Sequence, residues 1–166
     1  MPNAAAVPAA AYPYTSAEQF DGTGGHPDLR RRAKNDLTAI LIAEANSTPI
    51  PASVITDPRR EWAAACDLAD AHLSIRFKFP LLAWPHMLTD LVNRIAGWHL
   101  AEIYGLAQAG IDNPEYLRYR EAIKTLEQIR DRKLNPPGFQ DSTQTVPDAN
   151  PDGSTPRVQS LEQRGW

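Results

Sequence analysis

The sequence is short of most things that enzymes and metal proteins are built from. It has one cysteine, Cys66, among 166 residues, which excludes an intramolecular disulfide and any multi-cysteine metal site. There is no Gly-rich phosphate loop, no paired Cys-x-x-Cys and no HExxH, so those nucleotide and zinc chemistries have no carrier. Long hydrophobic runs are missing too. The longest aliphatic stretch, AILIA at 39–43, falls far below the roughly 20 residues that span a bilayer. The opening MPNAAAVPAAAYP has small apolar residues but no basic residue, which does not read as a signal peptide. A soluble chain with no membrane contact is expected. Charge of one sign is absent as well: the net charge is −3, and residues 57–134 hold eleven basic and eleven acidic side chains. No phosphate-binding field spreads over such a chain. The one basic run, Arg30, Arg31 and Arg32 with Lys34, reads as a solvated or subunit-facing patch.

Proline, by contrast, is abundant and unevenly placed. Six of the fifteen prolines precede Ile55 and five follow Leu134. The length supports one modest domain. The predicted division is an extended leader over 1–14, a helical domain over 15–134 and an extended, partner-binding tail over 135–166. The fold class expected is all-α, a small bundle of about four to five helices with the leader and the tail at its ends.

Helix signals recur through the middle. Thr15 and Glu18 have capping-box spacing, with Thr15 as N-cap. Pro27 opens a helix expected over 28–46; the alternative is a break near Asn35-Asp36, with Asp36 capping a second short helix. Asp57-Pro58 is a cap followed by proline at the first helical position. From there Trp62, Cys66, Ala69, Leu73 and Phe77 form one apolar stripe; Ala65, Leu68 and Ile75 form a second, the mark of a central helix. Pro85 opens a helix carried to Gly110, about 36 Å long, whose buried face holds Leu88, Leu91, Val92, Ile95, Trp98, His99, Ile103 and Leu106. Asn113-Pro114 repeats the cap, Tyr116, Tyr119, Ile123, Leu126 and Ile129 follow, and NPPG at 135–138 ends the last helix. The aromatic residues at helical spacing are expected in the core.

LSIRFKFPL, residues 73–81, alternates like a half-buried strand. A strand would leave Trp62, Cys66 and Ala69 without stripe partners. The prediction is therefore helix to Arg76 or Phe77, then an extended Phe79 before Pro80 and a reversal into the helix after Pro85.

No catalytic, cofactor-binding or metal-binding residue is assigned. Asp67 and Asp70 stand five and two residues before His72, neither a same-face spacing, and His99 reads as a hydrogen-bonded core or interface residue. Cys66 with His72 is the one nucleophile–base pairing to weigh. Its place on an apolar stripe favours a small buried hydrophobe, so the chain is not expected to be an enzyme.

In order and character these elements resemble the head–tail connector (adaptor) proteins of Mu-like tailed bacteriophages. The resemblance rests on Leu73, Arg76, Phe77, Pro80 and Leu81; on Ile95, Ala96, Trp98 and Leu100; and on Tyr119, Ala122, Ile123, Leu126, Ile129 and Leu134. It covers 57–138 well and 12–21 loosely. Asn93-Arg94 departs from a frequent Asp, and Arg132 stands where a Gly is common. The resemblance implies Leu73, Arg76, Phe77, Pro80, Leu81, Trp98, Tyr119 and Leu126 as a family-motif core. It implies a structural protein of the virion neck, assembled in the host cytoplasm and needing no cofactor. Copies of it would form a ring, typically of twelve, below the portal protein. That ring would extend the channel for duplex DNA without sequence-specific binding, and present a surface to a downstream neck or tail-completion protein. Phe139, Val158, Leu161 and Trp166 are the expected partner-binding residues of the tail, with Trp166 as anchor. The rival readings are a DNA-binding or packaging accessory protein using Arg30, Arg31, Arg32 and the last helix, and an enzyme using Cys66 and His72.

Overall fold

In a computed structural model, described here for residues 12–23, 25–107 and 113–141, five helices are present and no strand. They are α1 (Ala17–Thr23), α2 (Pro27–Ala45), α3 (Pro58–Leu73), α4 (His86–Ile103) and α5 (Pro114–Arg130). The fold is the all-α bundle expected.

Three helices begin where a polar cap precedes proline. His26 Nδ1, Asp57 Oδ1 and Asn113 Oδ1 each accept the backbone N–H two residues on, and proline removes one donor that the first turn would leave unpaired. The expected cap at Thr15 moves by one residue. Ser16 caps α1, accepting the Gln19 N–H through its hydroxyl, and the Thr15 hydroxyl reaches the buried Asn93 instead.

Helix ends differ more from expectation. α4 stops at Ile103, well short of Gly110, because Gly105 takes φ +66°. The Gly105 and Leu106 N–H groups then bond back to Glu102 and Ala101, which satisfies carbonyls the helix end would orphan. α2 and α5 end in the same motif with Ser47 at φ 52° and Arg132 at φ 60°. The NPPG run therefore follows a stop already made at Arg132. α3 ends at Leu73 rather than Arg76 or Phe77, although both of those N–H groups still bond the Leu73 carbonyl. The 73–81 stretch is thus a helical exit and not a strand. A lone bridge pairs Ala83 with Gln140.

α4 is the central helix, packed against the other four. Leu88, Val92, Ile95, Ala96 and Leu100 are fully buried along it. The expectation gave that place to α3, on the strength of two apolar stripes. Its first stripe is indeed buried from Trp62 to Leu73, but Ile75 on the second is exposed, because the helix has ended before it. α2 does not break at Asp36. That carboxylate is buried on the Leu29, Ala33, Ile40 face and accepts the Ile55 and Thr56 N–H groups and the Tyr104 hydroxyl. One buried acid so ties the α2–α3 connection and the end of α4 to α2, with the donors that burial of a charge demands.

Candidate interaction surface

Four arrangements outside the plain core carry polar or aromatic chemistry. The first is at the end of the bundle built by 73–81. Arg76 donates through Nη1 to the carbonyls of Ile129 (2.9 Å) and Leu134 (3.0 Å), and through Nη2 to the Asn135 side chain. It therefore serves as an external cap for α5, a use that suits the forked, permanently charged guanidinium. Phe77 stacks on Phe139 with centroids 4.8 Å apart, and Gln140 exchanges backbone hydrogen bonds with Ala83. The motif residues thus fix the point from which the chain leaves the bundle.

The motif residues do not share one environment. Leu73, Leu81 and Leu126 are core. Phe77, Trp98 and Tyr119 are half-buried, and Pro80, after a cis bond, is exposed. Among the four expected partner-binding residues, Phe139 is 9 % exposed and its ring is taken up by Phe77 of the same chain. Val158, Leu161 and Trp166 lie outside the described residues, as do the leader over 1–11 and the tail beyond Asp141.

The second arrangement is an aromatic seam between α4 and α5. Trp98 lies 5.1 Å from Tyr116 and 6.2 Å from Tyr119, with His99 also 6.2 Å from Tyr119 and the Arg120 guanidinium 5.8 Å from the Tyr116 ring. These residues were expected in the core. They are amphipathic and sit at its edge, and Trp, Tyr and Arg are the side chains that dominate protein interfaces. Their sequence signal is Tyr-x-x-Tyr-Arg, aromatic spacing carrying its own cation.

The third is a cleft of about 440 Å³ between α4, α5 and the α1–α2 turn, lined by Arg30, Arg94, Arg118, Asp90 and Glu121. Its charges are mixed, not uniformly basic. Arg94 pairs with Glu121 and Arg118 with Glu115. The basic run also has partners within the chain: Arg30 donates to the Asp21 carbonyl and Arg32 to the Tyr104 carbonyl, while Arg31 meets Asp28 and Lys34 meets Asp21 at the surface. Arg31 and Lys34 keep most of their side-chain surface exposed, and such exposed pairs are weak.

The fourth is a pair at the N-terminal side, the buried Tyr14 and the half-buried Asp70. The Tyr14 hydroxyl donates to Asp70 at 2.6 Å. Burial, first of all, raises the Asp70 carboxyl above its ordinary value, with Asp67 adding to the shift and the Tyr14 hydroxyl opposing it. Cys66 lies nearby, and burial pushes its thiol up to about 12. Such a thiol stays protonated near neutrality and is a poor nucleophile. The acid–imidazole approaches, His86 to Asp90 and His99 to Glu61, stand at 3.6 and 3.7 Å. Among the described residues no group of three or more His, Cys, Asp or Glu is placed to hold a metal ion, and no helix is long and apolar enough to cross a membrane.

Comparison with known proteins adds one finding. The family model described as "Bacteriophage Mu, Gp36" matches residues 25–154. No curated protein and no solved structure matches the chain.

Proposed function

The chain belongs to the Bacteriophage Mu Gp36 family, and from that premise we propose that it is a structural protein of the virion neck, a head–tail connector or adaptor. Copies assemble into a twelvefold ring below the portal protein, extend the channel through which duplex DNA passes, and offer a surface to the next neck or tail-completion protein. The observation that carries the reading is the anchored exit at Phe139 and Gln140. A loop, a helix end and a bridge are all spent on fixing where a proline-rich tail departs, which suits a segment whose work is to reach a partner. Val158, Leu161 and Trp166 are its contact residues in this reading, and the Trp98–Tyr116–Tyr119 seam is a second surface for a neighbouring subunit. A ring requires one heterologous interface that repeats until it closes. No catalytic role is assigned.

The DNA-binding alternative draws less support, because Arg30 and Arg32 are tied to backbone carbonyls of the domain and the charges of the neighbouring cleft are mixed. The test is direct. The purified protein is mixed with purified portal rings of the same phage and imaged by electron microscopy. A regular collar of density below the portal is the expected result. Folded protein with no collar, together with a duplex-DNA affinity that falls steeply with salt, overturns the connector reading in favour of the accessory one.

A further inference from the structure

Trp62 is 3 % exposed, yet among the described residues its indole N–H finds no hydrogen-bond acceptor. A buried tryptophan N–H ordinarily finds one. Trp62 also lines a groove of about 210 Å³ between α1, α2 and α3, whose other walls include Phe20, Ala33, Leu37 and Leu41. At that size the groove lies below the roughly 300 Å³ at which small-molecule pockets begin. It suits small apolar side chains of a peptide rather than a separate ligand or a helix.

The chain itself brings such a peptide to the groove. The Tyr12 ring meets the Trp62 ring edge-on at 5.6 Å, and Phe20 meets it at 5.7 Å. Tyr12, which directly follows residues 1–11 (MPNAAAVPAAA) in the chain, therefore stands beside the groove. Residues 1–11 carry no charged side chain, so they add no ionic cost over a groove whose rim already holds Glu18, Asp21, Arg30 and Lys34. Pro2 and Pro8 favour an extended polyproline geometry in which backbone carbonyls have no internal donor. Eleven residues in that geometry reach about 34 Å. Aromatic-lined grooves that take up such segments through small side chains and free carbonyls are a recurring recognition mode.

We propose that residues 1–11 dock in cis along this groove, with alanine, valine and proline side chains over Phe20, Leu37 and Leu41 and a backbone carbonyl accepting the Trp62 indole N–H. The inference stands apart from the connector reading, since it concerns the free protein. It is tested by NMR of the tryptophan indole protons in the full chain and in a chain starting at Tyr12, with Trp62→Phe assigning the signal. The expected result is a shifted Trp62 resonance in the full chain and hydrogen exchange slowed roughly tenfold or more relative to the shorter one. A second variant, Val7→Asp, alters the leader alone and leaves the bundle intact, and it should restore the faster exchange. Identical shift and exchange in the full and shortened chains overturn the proposal. So does protection that disappears on dilution, which assigns the groove to the leader of another copy.

Discussion

Arg132 holds φ 60° at the end of α5, and Ser47 holds φ 52° at the end of α2. Both fill a left-handed position that costs an L-residue about 1–2 kcal/mol and glycine almost nothing. Arg132→Gly and Ser47→Gly are each expected to stabilise the domain by about 0.5–1 kcal/mol after the greater freedom of glycine in the unfolded chain is subtracted. A rise in urea midpoint with unchanged slope is the readout; a lower midpoint would show that these side chains contribute more than their strain. Asp70 gives a pH signature of the opposite sense to most carboxylates. Its folded-state pKa is raised, chiefly by burial, so the folded chain holds that proton more tightly than the unfolded one. The group costs nothing below about pH 4, where it is protonated in both states, and it lowers stability as pH rises through the raised folded value. The stability difference between the native chain and Asp70→Asn should therefore become less favourable to the native chain from pH 4 to 7. Parallel stability curves would remove Asp70 from the account.

At the scale of elements, Arg76 joins the exit of α3 to the end of α5. Arg76→Ala withdraws the donor from two carbonyls and the Asn135 side chain, a loss of about 1–2 kcal/mol since water reaches part of the site. Limited proteolysis should then cut the 131–141 segment faster than in the native chain, with Arg76→Lys intermediate because one ammonium cannot span the same acceptors. Equal cutting rates would mean the segment is held by Phe139 alone. Helix starts were legible in the sequence because a cap followed by proline is a local signal. Helix ends were not, since Ser47 and Arg132 do not advertise a positive φ and Gly110 competed with Gly105 for the end of α4. Asp36 was readable in principle. It continues the Leu29, Ala33, Ile40 spacing, and a charge on an apolar stripe implies buried donors rather than a break. The aromatic seam was mislocated because periodicity reports a face and not how deeply that face is covered.

For the whole molecule, the folded unit runs past Leu134. A chain ended after Asn135 loses Phe139 and the bridge from Gln140, and should be less stable by about 3 kcal/mol or more. A chain ended after Asp141 keeps both and should unfold like the full protein while forming no collar on portal rings. Full stability in the shorter chain, or a normal collar with the longer truncation, would dismiss the respective half of that prediction. All-α class was evident from the start signals, whereas the closing of the bundle by Phe139 was hidden, because one aromatic among prolines has no period to reveal its partner. The same closure sets how the protein answers a pull. Tension applied to the chain beyond Asp141 first meets the Ala83–Gln140 bridge and the Phe77–Phe139 stack, which hold it against the loop feeding α4. Load is therefore delivered to the loop feeding the most deeply packed helix instead of peeling α5 from its free end.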